Sequence, residues 1–146
     1  MTDEPKNVLF SFCRVWERQD LTGALELVHD DVVYAMYVPQ DVLPFGGETH
    51  GKPAMSDRIR MIRDQFELQR FETVHDKSID NVGHARVAYS FRHRGAGETI
   101  TGTMRLAARI EEGLIVDFKE YHDVEKIRAF MRLVAYKAAE RSPNDC

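Results

Sequence analysis

A chain of 146 residues is long enough to bury a sizeable core without a metal or a disulfide to hold it. A net charge of −4, with arginines scattered rather than clustered, supplies no basic field for a phosphate backbone and argues against nucleic acid as a partner. Two cysteines, a polar acidic N-terminus and no apolar run near the ~20 residues of a bilayer span predict a reduced, cytoplasmic protein that stays out of membranes.

From Pro5 to Gln19, Val8, Leu9, Phe12, Val15 and Trp16 recur at helical spacing, with Pro5 suited to a first turn. Asp20 then reads as the N-cap of a short second helix, ended by Asp30-Asp31. Val32 to Val38 is β-branched and aromatic and predicts a strand. Pro39 to Gly51 reads as a loop, yet Val42, Leu43, Pro44 and Phe45 are apolar, so it is expected to fold back over something. Lys52-Pro53 opens a third helix, expected to reach Gln69, with Met55, Ile59, Ile62 and Phe66 as its stripe.

The second half reads as strands. Phe71 to Ile79 is followed by Val82 to Arg94, where Ala85, Val87, Tyr89 and Phe91 alternate with polar residues. Gly95-Ala96-Gly97 turns the chain into Thr99–Ile110, and Glu111-Glu112-Gly113 turns it again into Leu114–His122. Asp123 can cap a last helix with Val124, Ile127, Phe130, Met131 and Val134 on one face, and the tail from about Arg141 should fray. Segregated helices and strands predict one α+β domain over 1–146, with its core at about 5–140 and its helices laid on an antiparallel sheet.

Four motifs stand on those elements: Trp16-x-x-x-Asp20, Asp30-Asp31-Val32-Val33-Tyr34, Leu43-Pro44-Phe45-Gly46-Gly47 before Gly51, and Gly113-x-Ile115-Val116-x-Phe118-x-Glu120-Tyr121-x-Asp123. In this order, over about residues 5–135, they resemble the nuclear transport factor 2-like superfamily, in its SnoaL-like and ketosteroid-isomerase-related branch. The resemblance implies a curved sheet wrapped around the long helix, a conical cavity, and a homodimer formed through the outer sheet face. It does not fix the chemistry, since the fold hosts isomerases, cyclases, hydrolases, dehydratases and binders. Steroid isomerases place a tyrosine where this chain has Phe12 and an aspartate base where it has Met36. Neither residue can move a proton, and no strand carries the Arg-x-Asp pair of the limonene-epoxide-hydrolase relatives.

Candidate chemistry rests on the last strand. Strict alternation puts Val116, Phe118, Glu120 and His122 on one face, and the apolar pair turns that face inward. Glu120 then becomes a carboxylate on a pocket wall, the proton acceptor of choice, with His122 or Tyr34 assisting. Phe12, Trp16, Met36, Phe45, Met55, Ile59, Phe66, Phe91, Met104 and Phe118 are expected to line the pocket, with His93 near the strand end. His50 beside Glu48 could close the mouth. No pair of histidines or cysteines has metal-ligand spacing, so neither metal nor cofactor is expected.

The expected partner is a small hydrophobic molecule, cyclic ones included, handled by cofactor-independent isomerisation, cyclisation or hydration. The rivals are a carrier with the same pocket and no turnover, and a partner-binding domain whose pocket is vestigial. A core with no cavity of roughly 300 Å3 or more would favour the last.

Overall fold

The computed structural model describes residues 3–141. The frayed tail expected from about Arg141 lies essentially outside them. Helix α1 (Glu4–Glu17) carries Pro5 in its first turn and buries Leu9, Phe12 and Trp16 of the predicted stripe together with Cys13, while Val8 and Val15 are half-buried. A turn at Gln19, with φ of 61°, leads to α2 (Leu21–Glu26). The Asp20 carboxylate accepts from the Gly23 N–H at 2.9 Å and caps this helix as expected.

Strands β1 (Val28–Tyr37) and β2 (Gly47–His50) precede α3 (Lys52–Gln65). Then come β3 (Phe66–Ile79), β4 (Val82–His93), β5 (Thr99–Glu111), β6 (Leu114–Tyr121) and α4 (Val124–Arg141). Consecutive hairpins join β3 through β6. In the last, Glu112 and Gly113 both have positive φ, the twist-matched geometry of a two-residue turn. The sheet is curved and unclosed, in the order β2-β1-β6-β5-β4-β3. Helix α1 lies against its inner face. A side chain at Gly83 of β4 would meet the Pro5 carbonyl at 2.4 Å, so that strand position must be bare for α1 to seat.

Helix α2 ends at Glu26 and β1 already starts at Val28, earlier than the expected Asp30-Asp31 stop and Val32 start, and four further details differ from the pattern read in the sequence. The β1·β6 pair is parallel, so the sheet is mixed rather than wholly antiparallel. These strands lie far apart in the chain and need no hairpin between them. Helix α3 stops at Gln65, not Gln69. Phe66 turns extended and pairs with His93, and the long β3–β4 ladder takes the residues that the Ile62/Phe66 spacing assigns to a helix. Strand β2 lies inside the predicted loop. Gly-Glu-Thr-His has no apolar alternation to announce it, and only pairing with β1 makes it a strand.

The fourth difference is at Val116. Ile110 pairs with Ile115 and Arg109 with Asp117, so Val116 is an extra residue in β6, a β-bulge. Strict alternation therefore fails there: Ile115 is fully buried and Val116 only half-buried. Beyond the bulge the expected parity resumes, with Phe118 buried and Tyr121 exposed.

Candidate functional site

The inner sheet face, α1, α3 and α4 enclose a cavity of about 90 Å3. Helix α1 contributes Phe12 and Trp16, β1 contributes Met36, and α3 contributes Met55 and Ile59. Phe45 reaches in from the loop, and the strands supply Phe66, Phe91, Met104 and Phe118. His93 alone of the expected lining residues lies elsewhere. Its ring stands edge-on to Phe66, and its Nδ1 accepts from the Ala96 N–H at 3.0 Å, so it fastens the β4–β5 hairpin. His50 pairs with Glu48 at 2.8 Å on exposed β2, outside the cavity lining.

Among these apolar walls stand Tyr34, Glu120 and His122. The parallel β1·β6 register sets Tyr34 beside Phe118 and Met36 beside Glu120, so both strands point the same parity inward. The Tyr34 hydroxyl donates to Glu120 Oε1 at 2.9 Å, and His122 Nε2 lies 3.2 Å from Glu120 Oε2. Side-chain exposure is 15% for Glu120 and 8% for His122. Glu120 is therefore turned away from bulk water. Burial first, then the adjacent Glu120 charge and hydrogen bond, push the Tyr34 phenol well above its ordinary range and keep it a donor. The Phe118 and Tyr34 rings pack edge to face with their centroids 5.6 Å apart, packing that holds the tyrosine in place.

The walls are fastened by groups that the sequence pattern does not flag. Arg58 looks like part of the polar face of α3, yet its Nη1 donates to the carbonyls of Phe45 and Gly46. That pins the apolar loop segment over the cavity. Helix α4 closes the opposite side with Ile127, Phe130 and Met131, and Phe130 packs on Phe66 at 6.4 Å. Two ion pairs tether it: Arg128 to Asp41 at 3.7 Å and Lys137 to Glu98 at 3.2 Å. Leu43, Ile62, Phe71, Tyr89 and Ile100 also line the cavity. Tyr89 and Ile100 sit on apolar faces already visible in the alternation of their strands; what they face was not.

Among the described residues, no cluster of His, Cys, Asp and Glu is arranged to hold a metal ion, and no helix is long and apolar enough to cross a membrane. The described site has two halves: an apolar wall, and one hydrogen-bonded Tyr-Glu-His row.

The sequence profile of the SnoaL-like domain matches residues 10–118. The chain belongs to the SnoaL-like family. Solved structures extend the likeness to the NTF2-like fold. An NTF2-like protein of unknown function from Burkholderia pseudomallei is 19% identical with a TM-score of 0.78, covering 87% of this chain and 95% of its own. TerC, co-crystallised with polyporic acid, is 14% identical with a TM-score of 0.78 over 90% of this chain and 98% of its own. A hypothetical protein from Catenulispora acidiphila, with a ketosteroid isomerase-like fold and bound trimethylamine, is 13% identical with a TM-score of 0.72, over 84% and 89%. A search of curated proteins returned no match. At these identities the structural likeness speaks for the fold. In this SnoaL-like protein Phe12 and Met36 are both apolar cavity wall.

Proposed function

We propose that this SnoaL-like protein takes a small apolar molecule into the cone and moves a proton on it without a cofactor. The observation that carries this reading is the Glu120 carboxylate, held by Tyr34 and His122 on the wall of an otherwise apolar cavity. A carboxylate has about four lone-pair sites, and these contacts occupy two. The remaining capacity can take a proton from a carbon acid and return it at another carbon, which is isomerisation. His122 and Tyr34 orient the carboxylate through both proton transfers. Apolar walls weaken the competition from water for the same hydrogen bonds. Neighbours of this fold hold ligands as unlike as trimethylamine and polyporic acid, which supports a pocket that varies with the side chains lining it. Met36, Met55, Met104 and Met131 give this one an adaptable lining.

The test is deuterium incorporation from D2O into a panel of small cyclic enones and ketones. The wild-type chain should exchange them. Glu120→Gln should abolish exchange while shifting the melting temperature by no more than about 2 °C, because glutamine still accepts from Tyr34. Exchange that survives the substitution would remove Glu120 from the reaction.

A second reading draws on the size of the hollow. At about 90 Å3 it falls short of the roughly 300 Å3 at which ligand pockets usually begin. That favours a partner-binding domain with a vestigial pocket, unless the ligand is small or α4 swings out on binding. A compound that binds and is recovered unaltered after hours would point instead to a carrier.

A further inference from the structure

The aromatic side chains of this protein gather around one hollow. Seven of its eight phenylalanines, its one tryptophan and two of its five tyrosines line the cavity, and no lysine or arginine does. Phe118 stands two residues before Glu120 on the inner face of β6, with its ring 5.0 Å from that of Phe12 and the Tyr34 ring edge-on to it. The faces of such rings are electron-rich and attract cations. Glu120, the one acid in the lining, adds a negative charge to the same surroundings.

Among the described residues nothing neutralises that charge. The polar contacts of Glu120 are Tyr34 and His122, and no lysine or arginine comes within ion-pair distance of it. His122 is the one neighbour able to carry a positive charge, and its own contacts argue against it. The side chain is more than nine-tenths buried, Nε2 meets the carboxylate, and Nδ1 has no hydrogen-bond partner. An imidazolium carries an N–H on both nitrogens, so one of them would be buried and unmet. A charged donor left unmet costs more than a neutral lone pair. The contacts therefore fit the neutral ring with its proton on Nε2, and the carboxylate sits in an aromatic box with no cation beside it.

We propose that the guest of this cavity brings the missing charge: a compact aliphatic body bearing one protonated amine. The ammonium donates to a free lone pair of Glu120, a charge-assisted bond shielded from water, and the carbons of the guest pack on the rings. Burying an ion pair ordinarily means desolvating both partners. Folding has already taken this carboxylate largely out of water, with 15% of its side chain exposed, so most of the desolvation left to binding falls on the guest. A hollow of about 90 Å3 sets the scale of the part enclosed. A water molecule takes up roughly 30 Å3 in the liquid, so a head group of a few heavy atoms suits it. The inference rests on the reading that the cavity admits a small guest, and it holds whether or not that guest turns over.

The probes are tert-butylammonium chloride and tert-butanol, which share a carbon skeleton and a hydrogen-bond donor and differ in charge. Each is titrated at fixed ionic strength and about pH 7, where an alkylamine is protonated, into the full chain labelled with 13C at its methionine methyls. Met36, which pairs with Glu120 across β1 and β6, and Met104 should shift saturably with both compounds. The ammonium should bind at least roughly tenfold more tightly. In Glu120→Gln that preference should vanish while tert-butanol still binds. An alcohol that binds the wild-type chain as tightly as the ammonium would overturn the proposal and leave the apolar guest standing, and this arm needs no variant. A preference for the ammonium that persists in Glu120→Gln would overturn it too, because the charge would then be read elsewhere. Lining methyls that neither compound moves would overturn it together with the reading of the cavity as a guest site.

Discussion

The two faces of strand β6 are built from interleaved residues and face opposite solvents. Phe118 and Glu120 point into an apolar-walled hollow, while Lys119 and Tyr121 look outward. On the inner face one carboxylate is held by Tyr34 and His122 and surrounded by rings. On the outer face Arg86 and Arg105 stand exposed, directly opposite each other on paired strands. The period-two geometry of a strand lets one short segment supply both environments. The lesson is that burial, more than residue type, decides what each polar group is worth: inside, partners are obligatory, and outside, water serves.

That contrast can be broken most forcefully at Phe118, which packs on Phe12 at 5.0 Å and on Tyr34. Phe118→Ala should cost about 3–5 kcal/mol in urea unfolding. A loss below 1 kcal/mol would mean that the inner face is not tightly packed. Next, Glu120→Leu removes the acceptor from a buried hydroxyl and a buried ring. It should destabilise by about 1–3 kcal/mol, well beyond Glu120→Gln. Equal effects from the two substitutions would show that these hydrogen bonds contribute little.

Alkaline pH probes the same interior. Burial pushes the Cys13 thiol from 9.0 up to about 12. Between those values the unfolded chain releases a proton that the folded chain keeps, so stability should fall as pH rises from about 9 toward 12. Burial and Glu120 move Tyr34 in the same direction, extending the fall. In Cys13→Ala the urea midpoint should decline less steeply above pH 9, and an unchanged slope would exclude the thiol as a cause. Smaller still, Asp20→Ala removes the cap of α2 and should cost about 1 kcal/mol. Smallest is Thr103→Val on the outer sheet face, expected within about 0.5 kcal/mol of wild type by the same unfolding measurement.

Much of this architecture was legible in the sequence, because amphipathic spacing and turn residues are local signals. Asp20, Pro5 and Gly113 act at the positions where short-range chemistry puts them. The inward turn of Glu120 was also legible, since Phe118 two residues earlier fixes the parity. What the sequence did not show is set by contacts distant along the chain. The Val116 bulge exists only in the pairing of β6 with β5. Phe66 fits a helical stripe until β4 claims it, and β2 exists only beside β1. The apolar stripe of α4 was evident, but that Ile127, Phe130 and Met131 close the cavity could not be read from their spacing. His93 had the right parity and the wrong surroundings, because the hairpin turn claims its ring nitrogen.

The central claim is that the side chains converge on an interior hollow that admits a small apolar guest. The methionines report on it directly. Met36, Met55, Met104 and Met131 line the cavity, whereas Met61 is 39% exposed on α3 and lies outside the lining. Titration of benzene into the chain labelled with 13C at its methionine methyls should shift those four resonances saturably and leave Met61 in place. Four unmoved lining methyls, or a Met61 shift as large as theirs, would contradict the account.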